Sequence, residues 1–153
     1  MKPERLAAPI EALLVRQRWE VLESGAALAD AQHVLTHQEA QVANAIRAHE
    51  AWQAEVARVA GQGAALNPAL LHWLAGNAGR QAAALNAAQT ECARALMAVE
   101  EKGSELARHR RVEDLLRDEL RDIARETQGR RDARESQDAN DLWAQYRRSD
   151  SGA

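Results

Sequence analysis

The sequence predicts an all-α protein: a long two-helix antiparallel coiled-coil hairpin with a polar C-terminal tail. Three observations predict it. Alanine (34), arginine (18) and leucine (17) dominate the 153 residues, while three isoleucines, eight valines and no phenylalanine leave too little β-branched or bulky material for a sheet or a thick core. The three prolines, Pro3, Pro9 and Pro68, leave 10–67 and 69–153 free of any residue that must break a helix. Along both stretches apolar residues recur every seven positions, the period of a helix supercoiling against a partner.

The first helix is expected over 10–60, with Pro9 at its first turn, where the missing amide costs nothing. Leu14, Val21, Leu28, Leu35, Val42, His49 and Val56 form one heptad column. Ile10, Gln17, Ser24, Ala31, Gln38, Ala45, Trp52 and Val59 form the other, mixed and partly small or polar. A bend is expected at 61–67. Gly61 and Gly63 each lower helix propensity by roughly 1 kcal/mol and suit a left-handed cap. Asn67 then caps a second helix that Pro68 opens. That helix is expected over 68–128, with Leu71, Ala78, Leu85, Cys92, Val99, Leu106, Glu113 and Leu120 in one column and Leu74, Ala88, Ala95, Leu116 and Ile123 in the other. Lys102 and His109 interrupt this seam, and a phase using Ala82 and Leu96 competes with it. Each helix would be on the order of 75–90 Å long at about 1.5 Å per residue. One such helix cannot bury its own stripe, so residues 1–128 are read as one hairpin, with a parallel dimer of chains as the rival. Residues 129–153 are read as a charged tail, partly helical.

Charge narrows the function. The net charge is −3, so no positive excess is available for phosphate backbones, and nucleic acid is not an expected partner. One cysteine forms no internal disulfide, and no apolar run follows Met1-Lys2-Pro3, which points to the cytoplasm. The ninefold excess of arginine over lysine fits a GC-rich bacterial coding sequence. Charge is also unevenly spread: 61–100 carries only Arg80, Glu91, Arg94 and Glu100, whereas 101–153 carries 12 bases and 13 acids. In that segment Glu113 and Asp114 with Arg117, Asp118 with Arg121, and Asp122 with Arg125 stand at helical neighbour spacings, each pair worth roughly 0.2–0.5 kcal/mol.

Catalytic and metal motifs are scarce. His33 and His37 stand four apart, but no third ligand is placed beside them. Cys92 falls in a seam column and reads as a small apolar residue. Gly61-Gln62-Gly63 has neither a preceding strand nor a following Lys-Ser/Thr, so it is a helix stop rather than a phosphate loop. No cofactor is expected, and the chain is read as a non-enzyme that binds other proteins. Between Arg58 and Arg80 lie 21 uncharged residues, yet their glycines, asparagines, Gln62, His72 and Pro68 are too polar for a membrane span. Leu70, Leu71, Trp73 and Leu74 spread around most of a helical turn, so some must point outward, into a local cap or onto a partner. The candidate protein-binding residues are these four, Arg117 and Arg121 on the charged segment, and Trp143 and Tyr146 in the tail, where aromatic and arginine residues suit binding hot spots.

This outline resembles the FliJ/YscO family of central stalks in flagellar and type III secretion machines, particularly its Hrp-type members. The resemblance covers essentially the whole chain: the Pro-free helix from Ile10, the Gly61/Asn67-Pro68 bend, the seam from Leu71 to Ile123, and the dense RRVEDLLRDELRDIARE segment with its polar tail. No binding position is carried over. The resemblance implies a cytoplasmic stalk, peripheral to the inner membrane, that engages the type III secretion ATPase and the export gate protein, with secretion chaperones as further partners. The competing reading is a self-associating coiled-coil adaptor, a homo-oligomer unrelated to secretion.

Overall fold

The computed structural model describes residues 4–61 and 68–150, and all of them are helical. Helix α1 spans Glu4–Gly61 and helix α2 spans Pro68–Asp150, packed against each other as a hairpin. Gly61, expected in the bend, closes α1, and the expected caps at Gly63 and Asn67, with Gln62 and Leu66, lie outside the described residues.

Burial follows the seven-residue repeat. Every member of both expected α1 columns, from Ile10 to Val59, is buried or half-buried. In α2 the protected residues at heptad spacing are Leu74, Ala78, Gln81, Leu85, Ala88, Cys92, Ala95, Val99, Lys102, Leu106, His109, Glu113, Leu116, Leu120, Ile123 and Thr127. The register therefore runs unbroken through Lys102 and His109. A polar residue at a seam position does not shift the phase, because nothing is inserted or deleted and a long side chain can carry its head to the edge. Lys102 does this, placing its Nζ 3.2 Å from Glu105. The phase through Ala82 and Leu96 is excluded, since both are exposed. Leu71, expected in the seam, is 49% exposed, so the α2 column begins at Leu74 and Ala78 instead.

The helices are longer than expected at two ends. Helix α1 begins at Glu4, which puts Pro9 inside it rather than at its first position. Good helix formers precede that proline, and its missing amide forfeits only the bond to the Arg5 carbonyl, close to the helix start. Helix α2 continues through the expected 129–153 tail as far as Asp150. Its Arg, Glu, Gln and Ala content favours helix, and no proline interrupts it.

The chain divides into two units: residues 1–22 with 107–153, and residues 23–106. In the first, Leu14 and Ile123 are buried, and cross-helix partners run in opposite directions: Ala7 and Glu11 share a recess with Ile123 and Thr127, Arg18 meets Glu113, and Glu20 meets His109. That order defines antiparallel packing. In the second unit Ala95 and Leu106 are the buried apolar residues, and His49 stacks on Trp52 at 5.9 Å between ring centroids. His49 Nδ1 and Trp52 Nε1 are both sealed from solvent with no hydrogen-bond partner among the described residues. Each such group costs about 1–3 kcal/mol, so this part of the seam is polar without compensation.

Candidate protein-interaction site

The site elements of the first unit are built around a polar layer in its seam. Gln17, 8% exposed, donates from Nε2 to the backbone carbonyl of His109 at 3.0 Å. The same Nε2 lies 3.0 Å from His109 Nδ1, which in turn lies 3.3 Å from Glu20 Oε2. With its proton on Nε2 the ring accepts from Gln17; with a proton on Nδ1 it donates to Glu20. One turn along α2, the buried Glu113 accepts from Arg117 and lies 3.6 Å from Arg18 Nε. A layer of this kind fixes which residues face each other, since any slip would strand the Gln17 amide and the Glu113 carboxylate in an apolar seam.

Arg117 and Arg121 flank this layer on the exposed side of α2. Arg117 also approaches Asp114, with Nη1 3.5 Å from Oδ1, and Arg121 bonds Asp118 at 3.1 Å. Arg125 pairs with Asp122 at 3.2 Å, so all four sequence-predicted helical pairs are present. Apart from the pair to the buried Glu113 they are exposed or half-exposed and stabilise the helix by only a few tenths of a kcal/mol each. Arg121 and Arg125 are therefore available to exchange their exposed intrahelical carboxylates for a partner's. Three others stand in contrast. Arg108, Arg110 and Arg111 are exposed and make no ion pair among the described residues.

Trp143 and Tyr146 stand on the part of α2 that has no helix beside it. Thr127 is the last half-buried residue, and every residue from 128 to 148 is exposed. Ala139, Leu142, Trp143 and Tyr146 share one face at helical spacing, with Trp143 71% exposed and Leu142 59%. The seam columns, extended into this region, fall on Arg130, Arg134, Gln137, Asp141, Ala144 and Arg148, about half a turn from that apolar face. The apolar stripe thus changes face beyond the level at which α1 starts.

The four residues near the bend belong to the second unit and divide two and two. Leu70 and Leu74 are half-buried, while Leu71 and Trp73 are exposed, Trp73 at 54%. The structure brings Leu71 and Trp73 to the surface at the start of α2, and nothing described there covers them.

Two features escaped the sequence reading. The Gln17–His109 pairing needs the hairpin register, which a single sequence does not print. A second heptad set on the outer face of α1, Ala8, Ala12, Val15, Trp19 and Leu22, is visible in the sequence but was hidden behind the stronger seam columns. All five are exposed, Trp19 and Leu22 each at 64%.

Among the described residues no group of three or more His, Cys, Asp or Glu side chains could hold a metal ion. His33 and His37 are exposed on the surface of α1, and Cys92 is half-buried in the seam. No described helix is long and apolar enough to cross a membrane. Neither protein-family models, nor curated proteins, nor solved structures give a match to this chain.

Proposed function

We propose that this chain is a non-enzymatic coiled-coil stalk of a bacterial type III protein secretion system, working on the cytoplasmic side and peripheral to the inner membrane. In this reading it binds the export ATPase, couples it to the export gate protein, and offers further contacts to secretion chaperones. The observation that carries the reading is the continuity of α2: it runs from the apolar residues at Leu71 and Trp73 to the charged, aromatic-bearing segment at Trp143 without a break. Exposed Leu, Trp and Tyr beside arginines are the composition of binding hot spots.

In this assignment Arg117 and Arg121, with the segment that follows them, meet the ATPase, and the residues from Leu70 to Leu74 meet the gate. The test is a pull-down of the secretion ATPase with the Arg121→Glu variant, chosen because Arg121 pairs only with the exposed Asp118 whereas Arg117 holds the buried Glu113. Binding should fall by at least about tenfold, as expected for loss of a hot-spot arginine, while helicity stays near that of the unaltered chain. Unchanged affinity sinks the assignment.

A further inference from the structure

We propose that His109 is a proton-operated switch in the seam: uptake of a proton by its ring moves its contact with α1 from the Gln17 amide to the Glu20 carboxylate. None of these three residues belongs to the regions assigned to the ATPase or the gate, so the switch stands apart from the secretion reading.

Two α1 groups with opposite demands meet at His109 Nδ1. Gln17 Nε2 lies 3.0 Å away and Glu20 Oε2 lies 3.3 Å away. An amide nitrogen only donates, so Gln17 requires Nδ1 to be without a proton; a carboxylate only accepts, so Glu20 requires Nδ1 to carry one. A single nitrogen meets one demand at a time. Turning the amide over does not resolve the conflict, because Nε2 also donates to the His109 backbone carbonyl at 3.0 Å, and a flipped amide would set oxygen against oxygen there. The carbonyl thus fixes which end of Gln17 faces the ring.

The neutral ring settles the conflict one way. With its proton on Nε2, Nδ1 accepts from Gln17, a side chain only 8% exposed, and the Glu20 carboxylate is left facing a lone pair. The charged ring settles it the other way. Both nitrogens then carry protons, Nδ1 donates to Glu20 as an ion pair, and Gln17 keeps only its bond to the carbonyl. The contact passes from a buried amide to a half-buried carboxylate, from the middle of the seam to its edge. The ring itself is half-buried, with its side chain 35% exposed, so protons reach it from solvent.

The surrounding charges leave the choice to the ring. On α1, Arg16 Nε holds the other oxygen of Glu20, Oε1, at 3.2 Å, which keeps the carboxylate in place with Oε2 turned to His109. Arg18 is directed instead to Glu113, at 3.6 Å. On α2, Glu113 in the following turn is bonded by Arg117, and Glu105 in the preceding turn is held by Lys102 at 3.2 Å. Arg108 and Arg110 flank His109 in the chain and are exposed. Among the described residues Glu20 is the one carboxylate paired with the ring.

Double-mutant cycles on the full chain, read as unfolding equilibria in urea, test the exchange at about pH 8 and about pH 5.5, either side of the ordinary histidine range and above that of glutamate. The cycle of Gln17→Ala with His109→Ala should show a roughly 2–10-fold coupling in the unfolding constant at the higher pH, falling toward unity at the lower. The cycle of Glu20→Gln with His109→Ala should do the opposite, near unity at the higher pH and roughly 1.5–5-fold at the lower. Nitrogen-15 spectra of the unaltered chain keep the test independent of how the variants fold. At the higher pH His109 Nδ1 should carry no proton, and the Gln17 side-chain amide signal should move together with the ring signals as the pH falls. A proton on Nδ1 at the higher pH, a Gln17 coupling equal at both, or a Glu20 coupling that does not grow at the lower one would each overturn the proposal.

Discussion

Replacing Gln17 separates the two things a buried polar layer can do, stabilise a fold or specify it. Gln17→Ala removes two contacts of its Nε2, both at 3.0 Å, to the His109 carbonyl and to His109 Nδ1. A net hydrogen bond contributes about 0.5–1.5 kcal/mol, and truncating a side chain that is 8% exposed adds lost packing, so destabilisation of about 1–3 kcal/mol is expected. The His109 carbonyl is not orphaned by the change, because it belongs to the interior of α2 and keeps its helical bond. Gln17→Leu loses the same contacts but returns apolar burial worth about 1.5–3 kcal/mol. Its stability should therefore equal or exceed that of the unaltered chain, while the pairing of α1 with α2 becomes less strictly defined. Urea unfolding followed by circular dichroism measures the first quantity. Disulfide trapping of cysteine pairs placed one heptad out of register, in chains with Cys92→Ser, measures the second. If Gln17→Leu is less stable than the unaltered chain, the layer is a net source of stability and the reasoning fails.

Two further outcomes follow from local geometry. Gly25 lies inside α1, and a methyl group built on it meets nothing within 4 Å, so Gly25→Ala should stabilise by about 0.5–1 kcal/mol and raise the melting temperature by roughly 1–4 °C; a fall in melting temperature would show that the glycine is needed for its conformation. Glu55 accepts from Arg58 Nε at 2.9 Å, and this bond holds its carboxyl below the ordinary glutamate range while raising Arg58. A depressed folded value means that the pair's contribution is present above the unfolded glutamate value and is lost as pH falls through the lowered folded one. An NMR titration should show Glu55 with a depressed midpoint that returns to the ordinary range in Arg58→Ala, and an equal midpoint in both chains would refute the pairing.

Much of the fold was legible because a seven-residue repeat is written in one dimension. Leu14, Val21, Leu28 and their companions name the protected face of α1 before any partner is known, and Pro68 marks where α2 opens. Two boundaries were misjudged for a common reason. Pro9 looked like a start and residues 129–153 like a tail only partly helical, yet neither feature outweighs a stretch of good helix formers. The candidate residues were less accessible. Leu71 and Leu74 look alike in the sequence, and only packing decides that Leu74 turns inward while Leu71 stays at the surface.

By itself, then, the sequence determined the class, the protected faces and the intrahelical pairs, since all of these depend on neighbours within a turn or two. The tertiary structure decided what those faces meet. Gln17 and His109 are 92 residues apart in the chain, and no local periodicity tells that one amide will reach the other's carbonyl. The surplus of α2 over α1 was decided in the same way. The residues from 128 to 148 are exposed because α1 stops short of them, and their apolar face lies opposite the seam because Leu142 and Trp143 fall half a turn out of phase with Ile123 and Thr127. Helical periodicity fixes the direction in which each side chain points, but contact requires a second surface at that place, and only the folded chain supplies or withholds it.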